Sequence, residues 1–208
     1  MPISVASPRR IRGLAAPLRA VVRAALALEG RRPGEIAILL TDDATIRALN
    51  RRWRKLDRAT DVLSFVYDEE ASSRTRPGKA PIGKGSVVWG GASGTGTRGR
   101  RREAGLFAAK RRKEPAAASS RRGGRSSSRA LINGDLAISI DRMEAQTRRF
   151  RVSRGEELAR LVVHGTLHLA GLDHHREPER RHMRARERQA LRAARPQVRA
   201  LDRALARG

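Results

Sequence analysis

Nearly a third of this 208-residue chain contains almost nothing from which a protein core could be built. From Glu69 to Ala130 the sequence mixes Gly, Ser, Arg and Lys, with cation clusters at Arg100-Arg101-Arg102 and Lys110-Arg111-Arg112-Lys113. Sixteen Lys and Arg stand against four Glu there, so the segment carries about half of the chain's net charge of +25. Such a composition buries too little apolar surface to offset the entropy of ordering it, and residues 69–130 read as a disordered basic insertion. Compact domains rarely hold structureless loops longer than ~15 residues. Any fold must therefore come from the flanking blocks, residues 1–68 and 131–195, as one domain, with 196–208 as a C-terminal tail. Lengthening a ~10-residue connection to this size adds only about 1.6 kcal/mol of closure entropy, which a fold tolerates. The charge suits an RNA-binding arm, and a neutral insertion accounts for it as well.

The flanking blocks carry the periodic signals of a mixed fold. Leu14, Leu18, Val21, Val22, Ala25 and Leu28 form a stripe at helical spacing, with Pro17 near its start and Gly30 as its stop. Residues 35–40, Glu-Ile-Ala-Ile-Leu-Leu, form a short apolar strand ended by Thr41-Asp42-Asp43. Those polar residues are suited to cap a helix that carries Ile46, Leu49 and Trp53 on one face. Further strands are expected at residues 61–65 and 134–140, and helices at about 142–151 and 155–169. From Pro178 onward, Met183, Glu187 and Leu191 recur at helical spacing among many Arg residues. They predict a packed, charged helix broken near Pro196 and followed by the stripe Val198, Leu201, Leu205.

Lys plus Arg total 46 against 21 Asp plus Glu, a balance that points to polyanions such as nucleic acid or an acidic membrane surface. Only five of those cations are Lys, so a codon bias toward Arg explains part of the excess. Cysteine is absent, which excludes disulfides, thiol catalysis and Cys-held metals. Any metal must be held by His, Asp or Glu. No apolar run approaches the ~20 residues of a membrane span, and a cytoplasmic protein without membrane attachment is expected.

Four of the five histidines fall between positions 164 and 175. His164 and His168 are four residues apart and so project from one helix face toward a common ion. If the helix continued, His174 would lie ~9 Å beyond His168, out of reach. Gly171 can end the helix in a left-handed conformation and fold the chain back, so that His-x3-His-x2-Gly-x2-His gathers three imidazoles. Three His leave a coordination position for water, which favours one catalytic Zn²⁺ ion over a closed structural site. His175 and His182 are read as ordinary surface residues. The spacing equals that of metzincin proteases, yet Gly165 stands where their general-base carboxylate would be, which disfavours peptide hydrolysis. Phosphodiester cleavage depends more on charge neutralisation, which a polycationic chain supplies.

The segment His164-Gly-Thr-Leu-His-Leu-Ala-Gly-Leu-Asp-His174 resembles the signature of the YbeY family of bacterial ribosomal-RNA maturation endoribonucleases. Leu49-Asn50, Arg54, residues 60–65 (Thr-Asp-Val-Leu-Ser-Phe) and residues 134–139 (Gly-Asp-Leu-Ala-Ile-Ser) agree in order and content, over roughly 15–68 and 131–190. The resemblance implies a small α+β fold, with a mixed, mostly parallel sheet of about four strands flanked by helices. It also implies single-strand-selective cleavage of RNA, with ribosomal RNA and the small ribosomal subunit as partners. By position, His164, His168 and His174 would be the zinc ligands, Arg54 would face the phosphate, and Asp173 would have a supporting or helix-end role. Val66 stands where the family has Pro, Leu172 replaces a common aromatic, and the insertion after Tyr67 replaces a short connection. The alternative function is a non-catalytic, metal-ordered factor that binds ribosomal RNA during assembly.

Overall fold

The apolar stripe of the first block is the buried face of α1 (Ala15–Leu28), where Leu18, Val21, Val22, Ala25 and Leu26 are sealed from solvent. The computed structural model describes residues 3–7, 11–67, 131–173 and 176–207. After α1, Gly30 takes a φ of +65° and the Arg31 amide bonds back to the Leu26 carbonyl at 2.9 Å. This left-handed turn sends the chain into β2 (Arg32–Thr41). Asp42 accepts from the Thr45 amide at 2.7 Å and caps α2 (Asp43–Arg54). Next come β3 (Val62–Val66) and β4 (Leu131–Ser139); the insertion expected at 69–130 lies outside the described residues. The chain ends in α3 (Ile140–Phe150), α4 (Arg154–Leu169), α5 (Glu177–Ala193) and α6 (Arg195–Leu205).

One strand has no counterpart in the patterning: β1 (Ile3–Ala6), four residues that pair in parallel with β2 from Ile3↔Ile36 to Ala6↔Leu39. β2 pairs in parallel with β4, and β3 runs antiparallel on β4, giving the order β1-β2-β4-β3. The mixed, mostly parallel four-stranded sheet with flanking helices is the expected architecture. No helix among the described residues is long and apolar enough to cross a membrane.

Boundaries shift where side chains do backbone work. β2 begins at Arg32 because a register irregularity between Pro33 and Ile36 lets the chain pass two breakers, and the Asn133 side chain accepts from the Glu35 amide at 2.7 Å. The last strand stops at Ser139, one residue early, because Ser139 Oγ accepts from the Arg142 amide and turns Ile140 into the first residue of α3. Residues 196–208, expected as a tail, include most of α6, whose Leu201, Ala204 and Leu205 are buried. Its Asp202 accepts from the Gly155 amide at 2.6 Å and from Ser153 Oγ at 2.9 Å, at the start of α4.

The period of two along the strands sorts their side chains onto two faces. Ile36, Ile38, Leu40, Leu136 and Ile138 join the main core with α1, α4, α5 and α6. Leu63, Phe65 and Ala137 face the other way, against Ile46 and Leu49 of α2, with the Trp53 and Phe65 rings edge to face at 6.2 Å. Asp135 shares this second face, 5% exposed, and its carboxylate accepts from the Tyr67 hydroxyl. Burial pushes the Asp135 carboxyl up to about 6, against the opposing pull of the Tyr67 hydrogen bond.

Two predictions follow from the β3–β4 pair. Val66 is in register with Gly134, and the Tyr67 amide donates to the Asn133 carbonyl at 3.1 Å, so residues 68–130 leave and re-enter between adjacent ends of one antiparallel pair. Deleting residues 71–129 leaves residues 68–70 and 130 as the connection and removes about 2 kcal/mol of closure entropy. The shortened chain is expected to unfold cooperatively, at a Tm no lower than that of the full chain, by circular dichroism; an unfolded product would disprove the domain map. The Asp135 carboxyl titrates near ~3.9 in an unfolded chain. Between about pH 4 and pH 6 the folded chain therefore holds a proton that the unfolded chain has released, and stability falls as pH rises through that window. Asp135→Asn abolishes this loss, so its stability relative to wild type should grow by roughly 2–3 kcal/mol between pH 4 and pH 7 in urea unfolding. A pH-independent difference would contradict this assignment.

Candidate metal centre

Helix α4 is buried on nearly every side, by Leu158, Ala159, Leu161, Val162, Val163, Leu167 and Leu169. From its second turn onward, only Arg160, His164 and His168 are partly open, and their four-residue spacing makes one line along the helix. The rings of His164 and His168 lie edge to face, centroids 4.8 Å apart and planes 80° apart. His164 Nδ1 is 2.6 Å from Glu187 Oε1 of α5. Arg160 does not compete for that carboxylate at close range. Its Nε and Nη2 bond to Glu157 at 2.9 and 2.6 Å, and Nη2 also donates to Gln146 at 2.9 Å. The Glu157 hydrogen bond raises the Arg160 pKa further, and Glu157 is itself only 2% exposed, so this pair is a fixed part of the wall.

The helix ends as its glycine requires. Gly171 has a φ of +92°, its amide reaches the His168 carbonyl at 3.0 Å, and the Leu172 amide reaches the Leu167 carbonyl at 3.0 Å. The chain reverses immediately after His168, leaving Asp173 exposed beyond the turn. The third imidazole of the sequence pattern, His174, and its neighbour His175 lie outside the described residues. Among the described residues no group of three His, Asp or Glu is arranged to hold an ion.

Gly165 has a packing role. A Cβ on it would lie 2.8 Å from Leu136 Cδ2 and 3.2 Å from both Ser64 Oγ and Val62 Cγ2, and Ser64 Oγ donates to the Gly165 carbonyl. Position 165 faces the sheet, away from the imidazole line, so this contact needs glycine and has no room for a protease-type carboxylate.

The other matching segments mostly build the scaffold. The Asn50 side chain donates to the Arg58 carbonyl at 2.7 Å and pins the loop between α2 and β3. Asp61 accepts from Gln146 of α3 at 3.2 Å, while its carbonyl takes the Ser139 amide. Gly134 lets β4 pass beneath α4, since a Cβ there would meet the Phe65 carbonyl oxygen at 2.3 Å and Leu169 Cδ2 at 2.9 Å. Arg54 ends α2, exposed, with Arg51 and Arg52 in the same last turn. It belongs to the layer on the Leu63–Phe65 face of the sheet, whereas α4 packs on Val62 and Ser64 of the other face. The edge strand β3 thus stands between Arg54 and the histidines. Glu187 is the residue that sequence reasoning placed only as a packing position; its signal was a carboxylate on the stripe of Met183 and Leu191.

The donor chemistry fits a zinc ion. The two described imidazoles come from adjacent turns of one rigid helix, the chain has no thiolate, and the Glu187 carboxylate lies against Nδ1 of His164, the ring nitrogen opposite Nε2.

Comparison with known proteins extends this local agreement to most of the chain. The family model described as Endoribonuclease YbeY matches residues 9–195. A protein named Endoribonuclease YbeY from Roseiflexus sp. (strain RS-1) is 36% identical over 162 residues, covering 77% of this chain and 71% of that protein. One of the same name from Roseiflexus castenholzii is 38% identical over 156 residues, covering 74% and 67%. Another, from Anaeromyxobacter sp. (strain Fw109-5), is 33% identical over 184 residues, covering 88% and 67%. With the imidazole line, the glycine turn and every element from α1 to α5 inside the matched span, the chain belongs to the YbeY endoribonuclease family.

Proposed function

We propose that this protein is a zinc-dependent endoribonuclease that cleaves single-stranded RNA during ribosomal RNA maturation, working in the cytoplasm on RNA of the small ribosomal subunit. Membership in a family named for endoribonuclease activity supports the reaction class. The observation that carries the metal is the pair His164 and His168 on the one open line of α4, with a glycine reversal directly after them. In this reading His164, His168 and His174 hold one Zn²⁺. When bound, the ion supplies Lewis acidity toward a phosphoryl oxygen and acidifies water.

The chain's own residues do the rest. The enclosed walls of α4 hold the two imidazoles in place without a reorganisation step. Arg54, at the end of α2, binds phosphate and stabilises the negative charge that develops as the diester is cleaved. An RNA strand running along β3, an outermost strand among the described residues, would meet Arg54 on one side and the histidines on the other. The surplus of Arg over the whole chain supplies the non-specific affinity for a phosphate backbone.

His164→Ala in the full chain should abolish cleavage of precursor ribosomal RNA and lower zinc content while leaving RNA binding within about two-fold. Wild type that is fully zinc-loaded, binds RNA and never cuts it would replace the enzyme with the assembly factor. Arg54→Ala should lower kcat about 10²-fold, the range seen when one transition-state donor is removed. Product ends decide the nucleophile, since a 2′,3′-cyclic phosphate identifies the ribose hydroxyl.

A further inference from the structure

We infer that Glu187 is the positioning residue of the metal site: it fixes the hydrogen of His164 on Nδ1 and so presents Nε2 to the ion. This rests on the metal reading above and adds a residue from a different helix. Glu187 lies on α5 one turn after Met183, which is 2% exposed, and three residues before Ala190, which is fully buried. A carboxylate on that inward stripe is desolvated and needs a partner. The partner is His164, at 2.6 Å between Oε1 and Nδ1, with side chains only 18% and 24% exposed. A carboxylate can only accept, so the shared hydrogen sits on the imidazole. The opposite tautomer would aim a lone pair at an anion and turn an N–H toward the metal.

The neighbouring side chains leave Glu187 to this task. Arg160, one helical turn before His164, is the cation that would otherwise take the carboxylate, and its guanidinium is already committed to Glu157 and Gln146. Beside Glu187, Arg186 pairs with Glu29 of the α1 terminus at 3.0 Å, which ties this turn of α5 to the first helix. His164 is therefore oriented from two sides, by the backbone of α4 and by the carboxylate of α5.

The test uses the full chain, stripped of metal by chelation and titrated with Zn²⁺ alone against a competing indicator. Glu187→Ala is expected to weaken zinc binding 10- to 100-fold, the range for loss of a carboxylate behind a metal-bound histidine. Glu187→Gln, nearly isosteric and still able to accept from Nδ1–H, should lose less than about ten-fold. Long-range ¹H–¹⁵N spectra of the metal-free protein, which distinguish the two imidazole tautomers, should place the His164 hydrogen on Nδ1 in wild type and Glu187→Gln but not in Glu187→Ala. Circular dichroism identifies any variant that fails to fold, and the Gln variant keeps the comparison alive if the Ala variant does. Zinc affinity of a folded Glu187→Ala chain within two-fold of wild type, or a wild-type hydrogen on Nε2, would overturn the inference. A wild-type chain that takes up no Zn²⁺ would defeat the metal reading instead, with the tautomer spectrum still deciding what Glu187 does.

Discussion

Helix α4 is packed by α1, α5 and α6 on one side and by β3 and β4 on the other, and from its second turn onward a helix so enclosed opens side chains to solvent along one line only. That line is Arg160, His164 and His168. Because the surrounding residues are close-packed, the imidazoles cannot swing by moving their helix, and their separation is set by the helical rise. The same enclosure explains why small residues matter around it: Gly155 against Asp202 of α6, Gly165 against the sheet and Gly134 beneath Leu169 each mark a place where a Cβ would collide. The site is precise because its helix has nowhere else to go.

The sequence shows this helix clearly and its partners poorly. The His-x3-His spacing and the glycine are local facts about one segment, and the turn at Gly171 forms as that pattern requires. Of the elements with strong periodicity, α1 and α4 lie within a residue of where their stripes put them, and α2 begins at the cap that precedes its stripe. What the sequence hides is long-range. β1 has four residues, too few for a period to show, and becomes a strand only because β2 offers it an edge. The extra residues of β2 depend on an amide of Asn133, about a hundred positions away. α6 shows the stripe Val198, Leu201 and Leu205 in one dimension, but its docking depends on Asp202 meeting Gly155 at the start of α4, 47 positions away.

Glu187 shows the same limit within the site. In one dimension it is one of several acidic residues on an Arg-rich helix, with a spacing to Met183 that reads as packing. Only the approach of α5 to α4 reveals that the carboxylate is the one group on the inner stripe able to receive a hydrogen bond from His164. Asn50, Asp61 and Gly134 show the converse. They belong to matching motifs, yet each pins a loop, clamps a strand end or admits a close approach. A motif residue is therefore evidence that a position is constrained, and its contacts decide whether the constraint is chemical or architectural.

The direction of α4 gives the arrangement its electrostatic sense. Its N-terminus carries the positive end of the helix dipole, and there Asp202 accepts from the Gly155 amide, with Glu156 and Glu157 in the first turn. The C-terminus carries the negative end, and there His168 stands in the last turn with its backbone carbonyl already bonded to Gly171. Acidic side chains at the start follow the dipole, and an ion held by His168 would follow it at the end. Reversing the helix would have put a divalent ion against unpaired N–H groups. The acidic contacts contributed by α6 and the imidazoles that face solvent are thus two ends of one polarity, which is a physical reason for α6 to be part of the folded unit.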